Sequence, residues 1–296
     1  MLPPELIKKI KKMHIRTGRT VNTLMAGQYK SAFRGVGIEF EEVREYAPGD
    51  DIKSIDWNVS ARLGRPFVKH FREERELIVM LLVDLSASGR FGTGESIKQE
   101  TAAETAAILA FNAVRSNDKA GAILFTDQVE HYIPPKKGSG HVWRLIKEIF
   151  AFQPQHTGTD ISAAVRFLGR VCRKGTTAFV ISDFILPGGI PIVDRAVRAA
   201  AGKHELINIL ISDPGEFNLP TAGILTLRDL ETGQQLQIDA SHRRMREAYL
   251  AKQHRAYRAI LDQFKSAGLD CIEVSTAASA ADALTRYFHL RERRKR

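Results

Sequence analysis

From about residue 77 onward, short unbroken apolar runs alternate with longer stretches in which apolar residues recur every three or four positions. The first rhythm is that of a strand covered on both faces, the second that of a helix with one face against a core. Leu77–Asp84 is such a strand, and the alanine-rich Ile97–Arg115 is a helix able to pack closely on a sheet. Ala120–Thr126 follows as a strand. Asp127-Gln128 turns it into a second, Val129–Ile133, whose pairing Pro134-Pro135 is expected to stop. A helix opening at Ser139 or Gly140 puts Val142, Leu145, Ile146, Ile149 and Phe150 on one face.

The alternation continues with a helix over Asp160–Arg173, a strand over Thr176–Asp183, and a helix begun by Pro191 and ended by Gly202. Leu206–Asp213 is another strand, and Ile224–Asp229 with Gln235–Ile238 forms a hairpin around Thr232-Gly233. A long helix from Ser241 to Gly268, a strand at Cys271–Val274 and a helix after Ser279 complete the chain. Five or six buried strands with helices between them predict an α/β fold, a doubly wound and mostly parallel sheet.

Residues 1–76 break the rhythm. Ile38, Phe40 and Pro66–Phe71 predict short strands, and Ala47-Pro48-Gly49-Asp50-Asp51 a turn into a helical turn capped by Asp50 or Asp51. The expected division is therefore a basic segment and small β-containing lobe at 1–76, the α/β domain at 77–292, and a basic tail at 293–296.

Composition narrows the class. With 44% hydrophobic and 26% charged residues in 296, the chain is neither disordered nor a disulfide-stapled mini-protein. The longest apolar run, Leu77–Val83, is far short of the roughly 20 residues that cross a bilayer. Cys172 and Cys271 match no zinc or redox spacing, so a reduced, cytoplasmic setting is expected. The net charge of +10 lies at the ends: residues 1–20 carry six bases against Glu5, and residues 286–296 six against Glu292. Solvated termini are the plainer reading. Two basic arms for nucleic acid or an anionic membrane surface are the sharper one, helped by the helical spacing of Leu6, Ile7, Ile10 and Met13.

Asp84-Leu85-Ser86-Ala87-Ser88 ends the first buried strand, Asp183 ends a strand expected beside it, and Thr157-Gly158-Thr159-Asp160 opens a helix between them. Ligands of open α/β sheets bind at the carboxyl ends of strands where the winding reverses. Two carboxylates and three hydroxyls are oxygen donors suited to a hard dication, Mg²⁺ first, with Mn²⁺ or Ca²⁺ as alternatives. Singly, each residue could be a strand end, a turn former or a helix cap. Two adjacent strand-end aspartates, however, repel unless something cationic lies between them. Asp127 and Asp213 also end strands but lack accompanying hydroxyls, and read as loop residues.

Asp84, Ser86, Ser88, Thr159 and Asp183 resemble the metal-ion-dependent adhesion site of von Willebrand factor A-like domains. Upstream lie Gly35-x-Gly37-x-Glu39-Phe40, Arg44-x-Tyr46, Gly49-Asp50-Asp51, Ile55-Asp56-Trp57, Ala61-Arg62 and Phe67-Val68. With the Asp84 strand, these resemble the bacterial proteins grouped as domain-of-unknown-function family 58, from about residue 20 to the final helix. The resemblance implies a binding module without catalytic residues, whose ion takes a carboxylate from a partner protein to complete its shell. It also implies a MoxR-type AAA+ ATPase as partner, in chaperone-like assembly or maturation of other proteins. Gly89 stands where family members often have methionine, outside the ligand set. Arg44, Asp50, Asp56 and Trp57 are expected to tie the small lobe to the main domain.

Enzyme readings have less support. The chain has no Gly-x-x-x-x-Gly-Lys-Ser/Thr loop and no Gly-x-Ser-x-Gly elbow. A metal-dependent phosphoesterase, with His156 as proton donor, is the alternative.

Overall fold

The computed structural model describes residues 23–33, 39–72, 76–186 and 191–295. The basic segment with Leu6–Met13, Gly35, Gly37, Ile38 and Arg296 lie outside them. In chain order the helices are α1 (Thr23–Ala32), α2 (Trp57–Leu63), α3 (Lys98–Arg115), α4 (Ser139–Ala151), α5 (Ile161–Val171), α6 (Arg195–Ala201), α7 (Arg243–Ser266) and α8 (Ala280–Lys295). The strands are β1 (Glu39–Glu45), β2 (Phe67–Arg72), β3 (Ile78–Asp84), β4 (Lys119–Phe125), β5 (Val129–Lys136), β6 (Thr177–Ser182), β7 (Glu205–Ser212), β8 (Ile224–Arg228), β9 (Gln235–Asp239) and β10 (Asp270–Ser275). They divide into two compact units, one of residues 33–77, the other joining residues up to Ala32 with those from Ile78.

The larger unit is built on a six-stranded sheet of order β10-β7-β6-β3-β4-β5, parallel except for β5. Met80, Leu82, Val180, Leu206 and Leu210 face α5, α6 and α7, through Val165, Leu168, Val197 and Phe264. The intervening Val79, Leu81 and Val83 are fully buried on the other face, where α3 packs. Each such side chain contributes about 1.5–3 kcal/mol by leaving water. Alanines at 102, 103, 106, 107, 110 and 113 let α3 lie close to the strands. From β3 the chain winds outward to β4 and β5, then crosses to β6 on the other flank of β3. The winding reverses there, between the ends that carry Asp84 and Asp183.

Three local expectations are corrected. β5 continues through Pro134-Pro135 to Lys136, because it is an edge strand and a register shift opposite Gly121 absorbs the missing donors. α6 begins at Arg195, capped by the Asp194 carboxylate on the Val197 amide, rather than at Pro191. The turn at 47–51 does lead into a helical turn, the 3₁₀ turn Ile52–Ser54, where the Asp51 carbonyl accepts the Ser54 amide at 2.9 Å and the Ser54 hydroxyl at 2.6 Å, while Asp50 pairs with Arg44 at 2.6 Å. The helix α2 that follows is capped by Asp56, which accepts from the amides of Asn58 and Val59. Lastly, α1 packs within the larger unit, where the Tyr29 ring meets the Phe288 ring of α8 edge-on at 5.7 Å. α8 itself runs through Lys295, so residues 293–295 are helical.

In the small unit, β1 and β2 pair antiparallel, and the Trp57 side chain at the start of α2 is 68% exposed. Arg44, Asp50 and Asp56 thus have partners inside this unit.

A Cβ added to Gly121 would stand 2.7 Å from the Ile133 carbonyl oxygen and 2.8 Å from both Met80 Sδ and Pro135 N. Gly121→Ala is expected to lower stability by about 1–3 kcal/mol through overpacking, read as a lower urea midpoint with an unchanged slope.

Candidate metal centre

β3 delivers Asp84 to the rim of the crevice, and the 3₁₀ turn Ala87–Arg90 that follows carries Ser88. Asp84 Oδ1 accepts the Ser86 amide at 2.8 Å, which folds the loop back so that the Ser86 and Ser88 hydroxyl oxygens lie 3.0 Å apart. Asp84 Oδ2 accepts the Ser182 hydroxyl at 2.5 Å across the β3–β6 pair. The Ala87 amide donates to the Thr157 carbonyl at 2.9 Å, bringing in the loop that holds Thr159. Asp160 caps α5 on the Ala163 amide, so it belongs to the helix start.

On the β6 side, Ser182 accepts the Phe184 amide while bonding Asp84, and Phe184 has φ +54. A bulky residue in the left-handed region is strained. The Phe184 ring, buried and edge-on to Phe264 at 4.9 Å, holds that bend in place. The bend leaves Asp183 at the crevice wall, accepting the Ile185 amide at 3.1 Å. Asp84, Ser86, Ser88, Ser182 and Asp183 line a recess of about 10 Å³, close to the room one water or one small ion needs.

The electrostatics turn on a further residue lining the recess, Lys98. Lys98, at the first turn of α3 and 3% exposed, places Nζ 2.5 Å from Asp183 Oδ2 and 2.7 Å from Glu216 Oε1. Burial disfavours its charge, but the two carboxylates outweigh that and hold the ammonium above its usual range. Something cationic does lie against Asp183, therefore, and it is a lysine. The repulsion between strand-end aspartates is in part answered inside the chain. The Asp84 carboxyl is still pushed well above the usual carboxylate range, by burial first and then by the charge of Asp183.

Thr159 meets an acidic group. Its hydroxyl donates at 2.9 Å to Glu231 Oε1, from the tip of the β8–β9 hairpin. Burial raises the Glu231 carboxyl above its usual range, with Asp183 and Asp229 adding repulsion and the Thr159 and Ser88 hydroxyls opposing it. Of the five residues read from sequence, Asp84, Ser86, Ser88 and Asp183 line the recess, whereas Thr159 is not among its lining residues and is tied in through Glu231. Ser182, Lys98, Glu216 and Glu231 are residues that sequence reasoning missed. Lys98 had a readable signal: it shares a helical face with Ala102, Thr105, Leu109 and Asn112, all buried. Glu231 had none, because a hairpin turn carries no period that tells where its side chain goes.

Asp213 is not a plain loop residue. It is fully buried, and accepts the hydroxyls of Thr93 (2.5 Å) and Thr276 (2.6 Å) and the amides of Gly215 (2.8 Å) and Thr93 (3.2 Å). Its own amide donates to Glu216 Oε2 at 3.0 Å, which aims Glu216 at Lys98. Asp127, by contrast, is half exposed and lies 3.9 Å from His156 Nδ1. Among the described residues, no group of three or more His, Cys, Asp or Glu could hold a metal ion. Any dication here relies on hydroxyls as well as carboxylates. At the C-terminus, Arg291 is spent on Glu205 and Asp270, and Arg294 reaches Asp270 at 3.4 Å.

Two outcomes test this network. Lys98→Met, which leaves Asp183 and Glu216 without their ammonium, is expected to cost about 3–5 kcal/mol in urea unfolding, and Asp183→Asn added to it should recover part of the loss. For Asp213, burial opposes ionisation, but the Thr276 and Thr93 hydroxyls and the Gly215 and Thr93 amides win and hold the carboxyl below its usual range. Its stabilisation is therefore complete above the unfolded value near 4 and is lost as pH falls through the lower folded value. Asp213→Asn should remove that acid-side slope and lower stability at pH 7 by about 1.5–3 kcal/mol.

The family model described as Protein of unknown function DUF58 matches residues 42–259. The uncharacterized protein Rv1480 of Mycobacterium tuberculosis is 31% identical over 232 residues, covering 78% of this chain and 72% of that one. YeaD of Bacillus subtilis, also uncharacterized, is 27% identical over 107 residues, 36% of this chain and 25% of YeaD. Among solved structures, the chain is similar to an aerotolerance-related membrane protein from Bacteroides fragilis, with TM-score 0.50 and 19% identity over 72% of this chain and 99% of that one. No described helix is long and apolar enough to cross a membrane. The larger unit carries a mostly parallel α/β sheet, and the chain belongs to the DUF58 family.

Proposed function

We propose that this chain is a non-enzymatic protein-binding module that works through a divalent cation held by Asp84, Ser86, Ser88, Thr159 and Asp183. The observation that carries the reading is the convergence of Asp84 with the paired Ser86 and Ser88 hydroxyls around a recess walled by Asp183. The donor set fits a hard ion. All its atoms are oxygens, with no thiol or imidazole among them, and Mg²⁺ is the first choice, Mn²⁺ or Ca²⁺ the alternatives. With only two carboxylates and three hydroxyls around it, a bound ion would act as a Lewis acid toward an outside anion. Lys98 already neutralises Asp183 on the α3 side, so the positive excess faces the open rim.

The outside anion in this reading is an acidic side chain of a partner protein. A MoxR-type AAA+ ATPase is the proposed partner, in the cytoplasm, with the chain serving as adaptor or co-chaperone. The alternative, a metal-dependent phosphoesterase, would use as proton donor His156, whose ring lies 3.9 Å from Asp127.

Calorimetric titration of the chain with Mn²⁺ alone is expected to show one site, and Asp84→Ala to weaken it by at least about 100-fold, since even outer-shell changes cost 10–100-fold. Capture of a MoxR-type ATPase on the immobilised chain should be lost with chelator and with Asp84→Ala. Absence of Mn²⁺ binding, or equal binding by Asp84→Ala, would refute the reading.

A further inference from the structure

Among the described residues the β8–β9 hairpin pairs with no further strand, and its strands are largely exposed, Ile224 at 73% and Leu236 at 59%. A lone two-stranded hairpin is marginally stable in water. Its base is fixed by the Ala240 amide on the Gly223 carbonyl and by buried Ile238. Its tip is pre-shaped: Asp229 accepts the Glu231 and Thr232 amides at 2.8 and 3.2 Å, and Gly233 supplies the left-handed turn at φ +73.

What this tip presents is one carboxylate, turned inward. Glu231 lies against the Thr159 and Ser88 hydroxyls, two of the five residues of the centre, and within electrostatic reach of Asp183. That is an expensive place for a negative charge. The Lys98 ammonium beside Asp183 is already bonded to both Asp183 and Glu216. A third carboxylate at the rim is accounted for if a dication sits there and takes Glu231 as part of its surroundings.

We infer that Glu231 is an in-chain stand-in for the partner's acidic side chain: it fills the open side of the centre, and a binding partner must displace the hairpin tip to engage the metal. This rests on the dication reading above. The ion would gain a carboxylate while no partner is present, and the partner is a protein whose Asp or Glu competes for the place Glu231 holds. The exposure of the hairpin's strands makes such displacement feasible, with the bond from Thr159 to Glu231 tying the tip to the centre.

The test uses the full chain with Mn²⁺ as the only added probe, comparing wild type, Glu231→Gln and Asp84→Ala. In the wild type, Mn²⁺ should slow amide hydrogen exchange over residues 224–239 by roughly 10-fold, the worth of one charge-assisted contact. In Glu231→Gln, Mn²⁺ should still bind, but the slowing should vanish and water-proton relaxation by the bound Mn²⁺ should rise as a solvent molecule takes the freed position. If Mn²⁺ binds the wild type and Asp84→Ala abolishes binding, yet Glu231→Gln changes neither exchange nor relaxation, the stand-in role is wrong and the dication centre stands. If the wild type takes up no Mn²⁺, both fall together.

Discussion

Two carboxylates at the ends of neighbouring parallel strands, shut away from water, cannot both stay charged without cations beside them. The topology imposes this on the chain. Because the winding reverses between β3 and β6, Asp84 and Asp183 end up across one crevice, and the Ser182 hydroxyl bridges from β6 to Asp84 at 2.5 Å. Lys98 answers half of the problem, and in doing so sits at the first turn of α3, where the helix dipole disfavours a cation. Glu216 and Asp183 together hold it there, and Asp213 in turn aims Glu216. The unanswered half is Asp84, and around it the chain arranges hydroxyls rather than a second lysine.

The rigid and the loose parts of this rim divide the work. Asp84 and Asp183 are fixed by buried strands, by the Phe184 bend and by the Asp213 hydrogen bonds, so their oxygens are positioned before anything binds. The hairpin with Glu231 is the opposite, a largely exposed ribbon whose tip turns Glu231 inward. Pre-organised donors favour ion binding, while a weakly packed cover is drawn from the low-stability parts of a fold, as exchangeable elements are.

Most of the larger unit could be read from its apolar runs, because strands covered on both faces have no polar alternation to confuse with a helix. β3, β6 and β7 fall within a residue or two of their expected limits. The departures have local causes. Two prolines fit an edge strand that sequence cannot distinguish from a central one, and Asp194 rather than Pro191 opens its helix. At the site, Asp84, Ser86 and Ser88 were legible as a motif, and Thr159 and Asp183 by their places at a loop and a strand end. Lys98 was the one charge on a helix face whose other members, Ala102, Thr105, Leu109 and Asn112, are uncharged. Glu231 and the burial of Asp213 depend on contacts across 72 and 120 positions, which no local pattern encodes.

The most direct measurement is a crystal structure grown with Mn²⁺ and examined for anomalous scattering. One strong peak is expected in the recess, about 2.0–2.6 Å from oxygens of the Asp84, Ser86 and Ser88 loop, with Lys98 still on Asp183. A map without that peak, or with manganese bound elsewhere and the recess filled by the lysine ammonium, would contradict it.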